Sequence, residues 1–235
     1  MKVAIVTAHP DDAEISAGGL ICAYRAMGAD VTILCATDGA KGGPGDASAL
    51  AAKRAKEAQA GAAILGAGLV MLGYPDGELP CDTRLARDLA DRIAALAPNI
   101  VLSHPPVDYH ADHCAVGQAA ALAVSFRAPL VWLEPMLGVG SLPTHYIDIT
   151  DHQPTKERAI LCHASQSPAR FVDQIRIHGR FRAAQCGHPG YAEALRHDPV
   201  YPFADVRGLL PAAPSVRGVV DRAMPLDKSA RQETK

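Results

Sequence analysis

The stretch Val3-Ala4-Ile5-Val6-Thr7-Ala8-His9-Pro10-Asp11-Asp12-Ala13-Glu14 decides the fold of this chain. An apolar, β-rich run ends in a histidine and two carboxylates, which puts three metal-capable groups where a strand hands over to a helix. A second stretch repeats the arrangement. Asn99-Ile100-Val101-Leu102 runs on into His104-Pro105-Pro106 and then into His110-Ala111-Asp112-His113. Two such clusters, each at the end of a strand, suggest one divalent metal site split across the fold.

Outward from these two points, strand and helix patterns alternate. Strands are predicted at 3–8, 31–36, 69–72, 99–103, 130–133 and 145–149, and helices at 14–28, 47–66, 82–97, 113–126, 152–166 and 168–184. Gly28 and Gly66 stand where helix C-caps belong. Alternation of this kind implies an α/β fold: a Rossmann-like, doubly wound, mostly parallel sheet with helices on both faces. In the common doubly wound order, strand one lies beside strand four, and ligands bind at the carboxyl ends of the strands where the order reverses. Both clusters fall on that edge. Residues 1–210 read as a single domain and 211–235 as a partly flexible tail. The segment from His178 to Phe203 shows neither helical nor strand periodicity and could cover the pocket or form a subunit contact.

Bulk properties narrow the function. A formal net charge of −2 and an aromatic content of 5% give no footprint for nucleic acid or a membrane surface. Six scattered cysteines without a Cys-x-x-Cys pair read as free thiols of a reduced, cytoplasmic protein. The apolar stretch after Lys2 is too short for a signal peptide, and no run approaches transmembrane length.

His9 and Asp12 sit three apart across a tight turn and both suit zinc. Pro10 keeps His9 extended. Asp11 must point elsewhere, which leaves it free as a base beside the metal. Asp at a strand-to-helix junction is also a common N-cap, a competing explanation for either carboxylate. Capping explains neither His9 nor the second cluster. A dinucleotide site is excluded at the same place, because acids stand where Gly-x-Gly-x-x-Gly would be needed. His113, at a helix start, would complete a His-Asp-His triad with positions left open for water and substrate. His110 could then act as an acid or as an oxyanion donor, with Asp112 holding its ring. The other histidines, His104 and His163 among them, read as structural. The Gly39–Gly45 loop is either a substrate lid or a plain mobile connection.

These residues carry a family likeness. Ala8-His9-Pro10-Asp11-Asp12-Ala13-Glu14-Ile15 with Gly18-Gly19, together with His110-Ala111-Asp112-His113, resembles the paired motifs of the LmbE-like, or PIG-L, zinc-dependent N-deacetylases. Supporting matches are Thr37-Asp38-Gly39, Arg54-x-x-Glu57, Pro75-Asp76-Gly77, Lys156 through His163-x-Ser165-Gln166, and Tyr191-Ala192-Glu193. The resemblance implies one Zn2+ per chain on His9, Asp12 and His113, Asp11 as general base and His110 as acid or oxyanion stabiliser. It also implies Arg54 and Asp76 near a sugar pocket, and a homo-oligomer. The substrate implied is a small molecule containing N-acetylglucosamine, and the position of Glu14 is similar to the bacillithiol-pathway branch. Two other readings stay open: an amidase cleaving a larger amide such as a thiol conjugate, and a metal- or sugar-binding protein without turnover.

Overall fold

The computed structural model describes residues 1–79 and 82–216. Among these, seven strands are β1 (Lys2–Thr7), β2 (Asp30–Thr37), β3 (Gly68–Tyr74), β4 (Ile100–Ser103), β5 (Leu130–Leu133), β6 (His145–Asp148) and β7 (Ala192–Arg196). Six α-helices are α1 (Asp12–Ala26), α2 (Ala47–Leu65), α3 (Thr83–Leu96), α4 (Ala111–Val124), α5 (Gln153–Leu161) and α6 (Ala169–Gln185). All seven strands form one sheet in the order β3-β2-β1-β4-β5-β7-β6. The first five in that order run parallel, and β7 runs antiparallel to both β5 and β6.

Period-two alternation along β1 sorts its side chains between two cores. Val3 and Ile5 face one side with Leu20, Tyr24, Leu65 and Ile147, under α1, α2 and α5. Ala4 and Val6 face the other, with Leu85, Leu89, Ile93 and Val116 from α3 and α4. Fully burying a side chain such as Leu89 contributes about 1.5–3 kcal/mol, so a parallel sheet covered on both faces tolerates apolar residues at nearly every strand position. Helix α6 lies outside this sandwich, packing Val172 and Ile175 on Ile15 and Ile160.

The expected neighbourhood of strands one and four is present. Val6 stands opposite Ser103 in the β1–β4 register, so the residues that follow each strand emerge side by side. The sequence reading differs from the structure at the far end. The predicted helix 152–166 ends at Leu161 and is followed by a separate 3-10 turn over Ala164–Gln166. The segment 178–203 contains the end of α6 and the whole of β7. Ala192-Glu193-Ala194-Leu195-Arg196 is made of strong helix formers, and tertiary pairing with β6 overrides that preference. Glu193 then ties this end to the first helix. It accepts bonds from the Gly19 and Leu20 amides at 2.9 and 2.7 Å and from Lys156 Nζ at 2.6 Å. Gly18 and Gly19 permit that approach, since a Cβ on either would meet Lys156 or Ile149 within 2.8 Å. The proposed tail begins with described residues 211–216, and the rest of it lies outside the described residues.

Candidate metal centre

The turn after β1 is Ala8-His9-Pro10-Asp11, and α1 begins at Asp12. Asp11 takes φ 134° and ψ −23°, a backbone conformation that costs a non-glycine residue of order 1–3 kcal/mol and persists only when its surroundings impose it. Arg54, reaching in from α2, imposes it. Its Nη2 donates to Pro10 O at 2.7 Å and lies 3.2 Å from Asp11 Oδ2, while Nη1 donates to Gly39 O at 3.1 Å. Neither Asp11 nor Asp12 caps α1 through its side chain: no cap bond comes from Asp11, and Asp12 Oδ2 accepts from the His9 amide at 2.7 Å.

Three atoms form a nearly equilateral triangle. His9 Nδ1 lies 3.3 Å from Asp12 Oδ2 and 3.3 Å from His113 Nε2, and His113 Nε2 lies 3.4 Å from Asp12 Oδ2. Tetrahedral zinc with ligand bonds of about 2.0–2.1 Å has ligand-to-ligand edges of about 3.3–3.4 Å. The donor set and its spacing therefore fit a divalent ion bound by His9, Asp12 and His113, with its remaining side facing a pocket of about 360 Å³.

Carboxylates stand behind both imidazoles, as they do behind most metal-binding histidines. His9 Nε2 is 3.2 Å from Asp112 Oδ2 and 3.3 Å from Asp76 Oδ1, and His113 Nδ1 is 3.2 Å from Asp108 Oδ1. This corrects the expected role of Asp112. Its carboxylate faces His9, not His110, and is fixed there by the Gly77 and Leu79 amides at 2.7 and 3.3 Å. What reaches His110 is the backbone: the Asp112 amide donates to His110 Nδ1 at 3.2 Å, making His110 the N-cap of α4. A neutral His110 accordingly carries its proton on Nε2.

His9, Asp11, Asp12, Arg54, Asp76, His110 and His113 line the one pocket. Asp112 is buried behind it. The charged groups of Arg54 and Asp76 are already engaged: Asp76 bonds the Lys41 amide at 2.9 Å besides contacting His9, so both residues brace the turn as well as edging the pocket. Sequence reasoning passed over His104, Asp108 and Tyr109. His104 is 1% exposed, its Nε2 is 3.1 Å from Asp12 Oδ2, and its ring stacks on His113 at 3.9 Å. Its position directly after β4 was the available signal, because that edge is the ligand-binding one.

A family model described as "PIG-L: GlcNAc-PI de-N-acetylase" matches residues 4–124, the span holding all eight of these candidate residues. The chain belongs to the PIG-L family. Among its relatives, the diacetylchitobiose deacetylase of Thermococcus kodakarensis is 32% identical, the match covering 87% of this chain and 88% of that one. The solved structure of N,N'-diacetylchitobiose deacetylase from Pyrococcus horikoshii superposes with a TM-score of 0.76 at 28% identity, over 87% of this chain and 88% of that one. GalB, the 4-carboxy-2-hydroxymuconate hydratase of Pseudomonas putida, superposes with a TM-score of 0.74 at 26% identity, over 86% of this chain and 97% of that one.

In this PIG-L chain the two neighbouring aspartates are driven apart. Burial pushes the Asp11 carboxyl up to about 7, helped by the Asp12 charge and opposed by Arg54, His163 and His9. Burial penalises Asp12 too, but the charges of His113, His104 and His9 hold it well below the usual carboxylate range. The imidazoles answer in kind. Against the cost of burial, Asp12 and Asp76 raise His9 to about 11, and Asp12 and Asp108 raise His113 to about 9. These values describe a site that balances its anions with protons, and a divalent cation would take their place. Burial and the nearby His9 and His113 charges lower His110.

Proposed function

We propose that this chain is a metal-dependent amide hydrolase that removes acetyl from a small N-acetylated amino sugar, with zinc as the metal. One observation carries the reading. Asp11 lies beside the triad without joining it, on a strained backbone that Arg54 holds, with its carboxyl poised near neutrality. Metal binding alone has no use for such a group, whereas a general base does.

His9, Asp12 and His113 would hold the ion, which when bound supplies Lewis-acid polarisation and a more acidic water. Asp11 takes one proton from the attacking water as its oxygen bonds to the acetamide carbon. His110, through Nε2–H, donates to the carbonyl oxygen as negative charge gathers there. Breaking the C–N bond needs a proton on nitrogen, which Asp11 returns, since a neutral His110 would have to become an imidazolate to supply it. Acetate and a free amine leave. Asp112 acts through His9 as a positioning residue.

The aglycone, a homo-oligomeric state and a cytoplasmic location belong to the same proposal. Location is supported by five unpaired cysteines among the described residues, where no helix is long and apolar enough to cross a membrane. The test is free-amine release from N-acetylglucosamine, its malate and inositol conjugates and diacetylchitobiose, each run with chelator and again with zinc restored. Chelator-sensitive release from one member is expected. Likeness to a hydratase makes this panel decisive: metal-loaded protein that releases no amine from any member overturns the reading.

A further inference from the structure

One oxygen of Asp12 gathers four nitrogens. Oδ2 accepts from the His9 amide at 2.7 Å and lies 3.3 Å from His9 Nδ1, 3.4 Å from His113 Nε2 and 3.1 Å from His104 Nε2. The amide bond is local to the turn, and the next two contacts are edges of the metal triangle. The fourth comes from a histidine that the proposed reaction leaves without a task.

His104 is 1% exposed and forms no part of the pocket wall. Its ring lies flat on His113, with centroids 3.9 Å apart and planes 10° from parallel, and both rings turn an Nε2 to the same oxygen. Helix α4 seats it there. A Cβ on Gly117 would stand 2.7 Å from the His104 carbonyl oxygen and 2.6 Å from that of Pro105. A residue with a side chain at 117 would therefore push the start of the loop, and His104 with it, off the helix.

An ionised carboxylate only accepts hydrogen bonds, so the His104 Nε2 that meets it carries a proton. Held by the N–H groups of His9 and His104, the Asp12 carboxylate is fixed in rotation and presents one chosen oxygen. A second oxygen on the ion would fill a position that a catalytic site keeps open. The His104 bond also withdraws charge from the chosen oxygen. Asp112 and Asp108 do the opposite to the imidazoles of His9 and His113, raising their basicity as ligands.

We propose that His104 is a positioning residue of the metal centre, which keeps Asp12 a one-oxygen ligand of moderated donor strength. The proposal rests on the reading of His9, Asp12 and His113 as the ligands.

Cobalt(II) in place of zinc tests it, because visible absorption by cobalt weakens when a fifth ligand atom joins a four-coordinate site. The full chain is compared with His104→Leu, which keeps bulk and loses the donor, and with His104→Gln, whose amide N–H replaces Nε2–H. His104→Leu is expected to show weaker visible absorption per bound cobalt and about a tenfold loss of zinc affinity in a chelator competition, with His104→Gln recovering most of both. A spectrum unchanged in His104→Leu, or altered equally in both variants, overturns the proposal, since packing alone would lower the thermal midpoint and leave the spectrum as it was. If circular dichroism shows His104→Leu unfolded, His104→Asn, an amide too short to reach Asp12, takes its place under the same criteria. Metal stoichiometry separates the two claims. Cobalt bound by the unsubstituted chain and lost in His113→Ala, with a spectrum indifferent to residue 104, leaves the ligand reading standing and removes the role of His104. A chain that binds no cobalt, or binds as much in His113→Ala, removes both.

Discussion

The turn after β1 and the loop after β4 face each other across one pair of strands and are built in opposite ways. The turn is four residues long, buried throughout, and held from behind by Arg54, Asp76 and Asp112. The loop runs from His104 to His110 and begins and ends on the metal site, but its middle is open, with Val107 82% and Tyr109 68% exposed. One region holds its side chains through several buried contacts, as catalysis by positioned charge requires. The other delivers one ligand and otherwise offers surface to whatever binds. Within the proposed function, the short turn would carry the chemistry, and the long loop adds one ligand and an open surface.

The sharpest way to break that contrast is to remove one ligand from each side. His9→Ala and His113→Ala are both expected to take bound metal from about one ion per chain to near zero, because three protein ligands are the minimum for a catalytic zinc site. Full metal content in His113→Ala would show that the loop is not part of the site. Next in size is Asp11→Asn, which should keep its metal and lose about 10²–10⁴-fold in turnover. Loss of metal there would make Asp11 a ligand.

The carboxylates behind the ligands probe how tightly each side is braced. Asp112→Ala removes the contact to His9 and strands two amides, and should weaken metal binding by about 10–100-fold in a chelator competition. Asp108→Ala, which loses a 3.2 Å contact to His113 and a 3.2 Å bond from the His110 amide in the more open loop, should cost less. The reverse order would mean that the loop, not the turn, is the rigid partner.

The pH dependence tests the Asp11 assignment. Activity needs its ionised form, so kcat/KM must rise with pH through its pKa. The metal-free carboxyl stands at about 7, and a bound dication can only lower it, so the acid limb should lie below pH 7. A limb above that would exclude Asp11 as the base. The smallest effect concerns strain. At φ 134° glycine is at ease and asparagine is not, so metal-free Asp11→Gly should be more stable to urea than Asp11→Asn by about 1 kcal/mol. Equal stability would mean that the turn carries no strain.

Much of this was legible in the residues. Period-two alternation at β1 and helix caps at Gly28 and Gly66, both left-handed as expected, are local properties that a sequence displays directly. So is the chemistry of His9, Asp12 and His113, since few other tasks place those types together at strand ends. Illegible parts depended on partners far away in the chain. Strand β7 shows no strand periodicity because its residues favour helix, and pairing with β5 and β6, together with the Lys156–Glu193 pair, makes it a strand. Asp112 was read as holding its near neighbour His110, when helix geometry turns its carboxylate toward a histidine 103 residues away.

By itself, then, the sequence determined a parallel α/β sheet with two metal-binding clusters on its carboxyl edge, because apolar periodicity and ligand type are written residue by residue. Tertiary structure alone decided which nitrogen of each imidazole turns toward Asp12, which carboxylate stands behind which ring, and why the Asp11 carboxyl is pushed up to about 7 beside an Asp12 held well below the usual range. Those depend on distances and on exclusion of water, and both arise only when separate segments pack against one another.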